Sequence, residues 1–268
     1  MKIVNITFIF PGDYFKANMP DEMFKEQANA VISTGFHHHY INTSVIPSII
    51  NLPFDLSEQL VIYRGWMLNK NDYEKLATLV KNAGGHMFIS PSKYLLAHYL
   101  PNWYSYIEDL TPKTKFFEYN DNLQNNLLED ISWSKFFIKD YVKSLKTSVG
   151  SIIDNVNLIP LVIEEMKKYR GSIEGGICIR EFEEYLPETE TRFFAINGVP
   201  FGPHQTNIIP SIVYECCSKI SHPFFSIDVI KTKNAEYRIV EIGDGQVSDY
   251  VGWELNRFVD VLQYLKMV

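Results

Sequence analysis

The sequence predicts an α/β layer at the front followed by an α+β remainder, and three observations carry that reading. Apolar, β-rich runs alternate with amphipathic helical stretches over the first hundred residues, which suggests a small, mostly parallel sheet. A polar, Pro-marked stretch near Thr111-Pro112 then interrupts the alternation, so a boundary falls near residue 105. Beyond Trp133 the strands carry the strongest signals.

In the front layer (1–105), Lys2 to Phe10 is the first strand and Asp21 to Ser33 a helix capped at or just before Asp21. Phe36 to Ile41 and Leu60 to Arg64 read as extended, and Asn71 to Asn82 is an amphipathic helix stopped by Gly84-Gly85. His86 to Ile89 returns as a strand, and a short helix covers Ser92 to Tyr99. In the remainder (106–268) strands are expected at Phe136 to Asp140, Ile177 to Glu183, Arg192 to Ile196, Phe224 to Lys231 and Tyr237 to Ile242. Helices are expected at Pro160 to Arg170, where proline suits the first turn, near Ile208 to Ile220, and at Tyr250 to Lys266.

Composition narrows the function. The 268 residues are 46% hydrophobic and 21% charged, so a disordered chain is excluded and a large buried core is possible. A net charge of -7 argues against a nucleic-acid partner, which needs a basic surface, yet leaves room for a small basic phosphate pocket. No run approaches the ~18 apolar residues of a membrane span. The opening Met1-Lys2-Ile3-Val4 leads straight into a strand, so a cytoplasmic protein without a membrane partner is expected. The 3 cysteines show neither disulfide nor zinc spacing and read as buried thiols.

Three segments carry candidate chemistry. The strand Phe136-Phe137-Ile138-Lys139-Asp140 leads into a loop with Lys143, Lys146 and several Ser, Thr and Gly residues. Such a loop can surround a polyphosphate with cations and donors, although it lacks P-loop spacing; a solvated lysine loop is the alternative. Next, Ile177-Cys178-Ile179-Arg180-Glu181-Phe182-Glu183-Glu184 turns from apolar strand to acid, offering backbone groups to a purine and a carboxylate to ribose. Arg192 follows, presented by a strand that enters an Asn197-Gly198 hairpin, with a plain surface strand cation as the alternative to a place in the site. Finally, Asp228 and Glu241 interrupt two apolar strands joined by a turn at Lys231 to Ala235. Acids on antiparallel neighbours repel unless a cation joins them, and hard oxygen ligands suit Mg²⁺, with Asp244 as a possible third. Two separate surface acids, or acids paired with lysine, are the alternative.

In this order the segments resemble the ATP-grasp superfamily. Tyr63-Arg64-Gly65-Trp66-Met67, Phe137-Ile138-Lys139, Arg180-Glu181-Phe182, Arg192-Phe193 and Val240-Glu241-Ile242-Gly243-Asp244-Gly245-Gln246-Val247-Ser248 are similar to its R2K clade. The resemblance implies a pre-ATP-grasp α/β domain (1–105) and a two-lobed ATP-grasp domain (106–268), with an N-lobe to about 180 and a C-lobe from about 181. ATP would lie between the lobes. Lys139 and Lys146 would hold the α- and β-phosphates, with Lys143 competing for the second role. Glu181 and Phe182 would form the adenine hinge and Glu184 would reach ribose. Arg180 and Arg192 would steady the γ-phosphate or acyl phosphate, and Asp228 with Glu241 would bind Mg²⁺. Gly243 departs from the pattern, since many ATP-grasp enzymes carry Asn there; Asp244 is the expected substitute.

Arg64 lies beyond an apolar strand end and is a candidate for holding a substrate carboxylate, or else packs on Trp66 or pairs with an acid. His37-His38-His39 would converge two ligands at most on one strand face, and His98 reads as a packing residue. The expected activity is a ligase joining a carboxylate to an amine through an acyl phosphate, with an amino acid, peptide or protein as the candidate substrates. An ATP-binding module without turnover and a phosphotransferase that stops at a phosphorylated product are the other two readings.

Overall fold

A computed structural model describes residues 5–16, 18–120, 131–142, 152–206 and 208–267. It resolves into two compact units, unit 1 of residues 1–97, 191–227 and 243–268 and unit 2 of residues 98–190 and 228–242. Each has its own framework.

In unit 1, β1 (Ile6–Pro11), β2 (His37–Ile41), β3 (Leu60–Tyr63) and β4 (His86–Met87) form a parallel sheet in the order β2-β1-β3-β4. β1 is buried at every position, the pattern of a central parallel strand covered on both faces. Helix α1 (Lys25–Ser33) follows β1, and α2 (Lys70–Asn82) is capped by the Asn69 side chain, which accepts from the Asp72 N–H at 2.9 Å. α2 buries Tyr73, Leu76, Leu79 and Val80, spaced three and four apart along one face. Helix α3 (Pro91–His98) ends the front layer, one residue displaced from expectation at each end.

In unit 2, α4 (Leu100–Tyr104) precedes β5 (Thr114–Glu118), and an antiparallel sheet runs β5-β8-β6-β7. Its other strands are β6 (Phe136–Asp140), β7 (Ile152–Ile153) and β8 (Gly176–Glu181). β5 was not legible as a strand, because Lys113 and Lys115 break its apolar run. Alternation sorts β6: Phe136 and Ile138 join a core with Ile177 and Ile179 of β8 and with Ile159, Val162, Ile163 and Met166 of α5 (Ile159–Arg170). Phe137 and Lys139 therefore face the other side of the sheet.

A third four-stranded sheet has the order β10-β9-β11-β12, from β9 (Tyr185–Ile196), β10 (Val199–Phe201), β11 (Phe224–Thr232) and β12 (Tyr237–Asp244). The Asn197-Gly198 turn has both residues at positive φ, 50° and 79°, as a tight hairpin of this twist requires. The turn between β11 and β12 closes with the Thr232 N–H on the Glu236 carbonyl at 2.8 Å. α6 (Ser211–Lys219) and α7 (Leu255–Leu262) complete the described α-helices; α7 starts at Leu255 and not at the expected Tyr250, because residues 250–254 form turn and loop, and it passes into a 3-10 helix over Gln263–Met267.

Candidate nucleotide site

The face of β6 and β8 turned away from α5 forms the floor of a cavity of about 280 Å³, lined entirely by unit 2. That volume lies near the small end of ligand pockets, ~300–1,000 Å³. Phe137 and Lys139 of β6, Arg180 and Glu181 of β8, and Ile152 of β7 line it. Phe182, Glu183 and Tyr185 border it from the segment after β8, and Ile230, Val240 and Glu241 from β11 and β12.

Lys139 stands opposite Cys178 in the ladder and is only 4% exposed. Its ammonium is 3.5 Å from Glu241 Oε1, the counter-charge that a buried cation needs. Glu241 is partly exposed, so it is open to a further ligand. Asp228 is 5% exposed and lies two residues before Ile230 on β11, hence on the strand face that borders the cavity. Among the described residues no cluster of three or more His, Cys, Asp or Glu is ready-made for a metal. Carboxylate oxygens of the kind that Asp228 and Glu241 carry are the hard donors that Mg²⁺ takes, an ion that commonly completes its shell with phosphate oxygens and water.

At the opposite wall, Lys135 Nζ sits 4.1 Å from the centre of the Phe182 ring, and Lys113 lies 3.9 Å from Glu181. The Arg238 guanidinium grips Glu183, with Nε to Oε2 at 3.0 Å and Nη2 to Oε1 at 2.9 Å, and Tyr185 donates to the same carboxylate at 3.0 Å. Burial, then the Glu183 charge, raises the Tyr185 pKa. Glu184 pairs with Lys233 at 2.9 Å and is not among the lining residues. Neither Glu183 nor Arg238 was selected by sequence, because neighbouring acids in an extended segment face opposite sides and only the fold sets which faces inward.

Arg180 is 6% exposed, and burial lowers its pKa. It donates from Nη1 to the Val240 carbonyl at 2.6 Å, from Nη2 to Thr111 Oγ1 at 2.6 Å and from Nε to Thr114 Oγ1 at 3.3 Å. Lys143 and Lys146 lie outside the described residues. Cys178 is a buried free thiol pushed up to about 12 by burial, so it offers no nucleophile beside the cavity.

Unit 1 holds the other candidates. Arg192 donates from Nη1 to the Asp249 carbonyl at 2.9 Å. Arg64 is 2% exposed and engaged with backbone carbonyls of residues 245–248. Asp244 is buried and bonded by Gln246. His39 stacks on Phe54 with ring centres 3.8 Å apart, a packing role for that histidine. A Cβ placed on Gly243 would lie 2.7 Å from the hydroxyls of both Ser226 and Ser248, which bond each other at 2.7 Å. Gly243→Ala is therefore expected to destabilise by ~1–3 kcal/mol through overpacking, measured by urea denaturation; an unchanged midpoint would show that the serines yield freely.

Residues 130–262 match the sequence profile of the ATP-grasp domain, R2K clade family 3. The chain carries an R2K-clade ATP-grasp domain. No curated protein sequence matches the chain. Among solved structures, the ATP-grasp ligase PsnB complexed with precursor peptide PsnA2 and AMPPNP is 12% identical over 98% of each chain, with a TM-score of 0.59. D-cycloserine synthetase DcsG is 10% identical, over 97% of this chain and 99% of its own, with a TM-score of 0.62. D-alanyl-alanine synthetase A from Vibrio cholerae is 10% identical, over 100% and 98%, with a TM-score of 0.62. At such identities the likeness establishes the ATP-grasp ligase fold across nearly the whole chain. No described helix is long and apolar enough to cross a membrane.

Proposed function

We propose that this ATP-grasp protein is an ATP-dependent carboxylate–amine ligase acting through an acyl phosphate. The observation that carries the reading is the unit 2 cavity, where buried Lys139 lies 3.5 Å from Glu241 within a pocket that Phe182 also borders. Adenine would lie against Phe182 and the backbone of Glu181, and Glu183 or Glu184 would take the ribose hydroxyls. The phosphates would run to Lys139, joined by Lys143 and Lys146.

Asp228 and Glu241 are the residues that would hold Mg²⁺, which supplies charge against the phosphate oxygens. A substrate carboxylate oxygen attacks the γ-phosphorus and the bond to the ADP oxygen breaks, giving acyl phosphate and ADP. An amine nitrogen then attacks the acyl carbon, phosphate leaves, and the nitrogen loses a proton. Lys139 contributes by holding phosphate and neutralising charge, so no side-chain nucleophile is required. PsnB is bound to a precursor peptide and another fold neighbour is a D-alanyl-alanine synthetase, which supports an amino acid, peptide or protein as the source of carboxylate and amine.

Thermal unfolding with and without Mg-ATP tests the reading. Ligand at a hundred times its dissociation constant should stabilise the protein by ~2.7 kcal/mol, and Lys139→Ala should remove most of that shift. No shift at saturating nucleotide would sink the proposal. A shift without ADP release across a panel of carboxylates and amines would instead favour a non-catalytic ATP-binding module, and ADP without amide a phosphotransferase.

A further inference from the structure

Two walls of the unit 2 cavity are tied together by one hydroxyl group. Thr111 is fully buried, and its Oγ1 donates to the Ile239 carbonyl of β12 at 2.7 Å while accepting from Arg180 Nη2 of β8 at 2.6 Å. The backbone beside it extends the join: the Ile239 N–H donates to the Leu110 carbonyl at 2.9 Å, and Arg238 Nη2 donates to the Thr111 carbonyl at 2.6 Å. Arg180 adds a second span, from β8 to the Val240 carbonyl next to Glu241. The sheet bearing Lys139 and the strand bearing Glu241 are thereby held at a fixed separation.

Resting on the nucleotide reading above, we propose that Thr111 and Arg180 are positioning residues for the nucleotide, setting the spacing between the β6–β8 floor and the β12 wall. The guanidinium is anchored to the scaffold: each of its three nitrogens has a partner on Thr111, Thr114 or β12, which engages three of its five N–H groups. On this reading its effect on ATP passes through Val240 and Ile239 and not through a phosphate oxygen. Deleting the Thr111 hydroxyl strands a buried guanidinium N–H and a buried carbonyl. The relief open to them is movement of β12 against β8. In a pocket this small, a displacement of ~1 Å is enough to lower the function of a site ~100-fold.

Isothermal titration with Mg-ATP, Mg-ADP and adenosine decides the matter. Thr111→Val should weaken all three ligands by a common factor of ~10 or more, while Thr111→Ser, which restores the hydroxyl, should stay within ~2-fold of wild type. Arg180→Lys keeps the charge but cannot make the three bonds, and it too should weaken all three ligands equally; it decides the question if Thr111→Val does not fold. A loss confined to ATP in Arg180→Lys would overturn the inference and assign the side chain to the γ-phosphate. Unchanged affinities in a folded but less stable Thr111→Val would also overturn it, leaving only a structural role. Either result leaves the nucleotide reading standing as long as wild type binds Mg-ATP; wild type that binds none of the ligands would overturn both.

Discussion

Replacing Arg64 by leucine is expected to destabilise the protein by ~3–5 kcal/mol, measured as a drop in the urea midpoint at constant slope. The side chain is 2% exposed, and its guanidinium is a hub for the turn after β12. Nε donates to Gln27 Oε1 at 2.6 Å, and Nη1 reaches the carbonyls of Gly245 at 3.2 Å, Gln246 at 2.8 Å and Ser248 at 2.6 Å. Its plane also lies 5.0 Å from the Phe258 ring centre. Burial lowers its pKa to about 10, with the charges of Asp249 and Asp244 acting the other way, so it stays a cation at neutral pH. Leucine fills part of the volume but leaves three carbonyls without their donor, and each unmade bond of this kind costs ~1–3 kcal/mol. Arg64→Lys should fall between, because a single ammonium cannot reproduce a fork aimed at Gln27 on one side and three carbonyls on the other. A loss below ~1 kcal/mol for leucine would show that the turn does not depend on this hub.

The Arg64 case also shows what a sequence does and does not disclose. A cation at a strand end signals a binding role equally well whether its partner is a substrate or the protein's own backbone, and residues 245–248 are too distant in sequence for the choice to be read. Strand β6 was legible to the residue, since apolar character at Phe136 and Ile138 and a cation at Lys139 follow from burial on one face and a cavity on the other. The first half of β9 was not, because Glu188 and Glu190 at alternate positions give no apolar signal. The acids on β11 and β12 stood out as charges inside apolar runs, a conflict that local sequence exposes. Thr111 carried no such mark: its importance comes from Arg180 and Ile239, and a threonine before a proline looks like any loop residue.

The buried pair Asp244 and His222 should give opposite pH dependences once either partner is removed. Asp244 Oδ1 accepts from the Gln246 N–H at 2.9 Å and from Gln246 Nε2 at 3.2 Å, while Oδ2 lies 3.5 Å from His222 Nε2 and makes no hydrogen bond. Because His222 Nε2 bonds the Lys93 carbonyl at 2.9 Å, it carries the proton; Nδ1 accepts from the Phe224 N–H at 3.2 Å, so the ring is neutral. Burial dominates both groups. It raises Asp244 from 3.8 to about 7, against the pull of Gln246 and Arg64, and lowers His222 from 6.5 to about 4. Tyr73 and Tyr94, also buried here, stay neutral because burial and the Asp244 charge raise their pKa values.

The stability from protonated Asp244 is fully present below 3.8 and is lost as pH rises through about 7; that from neutral His222 is present above 6.5 and is lost as pH falls through about 4. At ~1.36 kcal/mol for each pH unit these are contributions of about 4 and about 3 kcal/mol with opposite slopes over the same window. In wild type they largely cancel, and this pair leaves stability nearly level between pH 4.5 and 6.5. His222→Gln should then lose stability as pH rises through that window, and Asp244→Asn should gain it. Urea denaturation of the three proteins at pH 4.5 and 6.5 reads the difference directly, and parallel pH profiles would show that the two groups are not held in the opposite protonation states that their burial dictates.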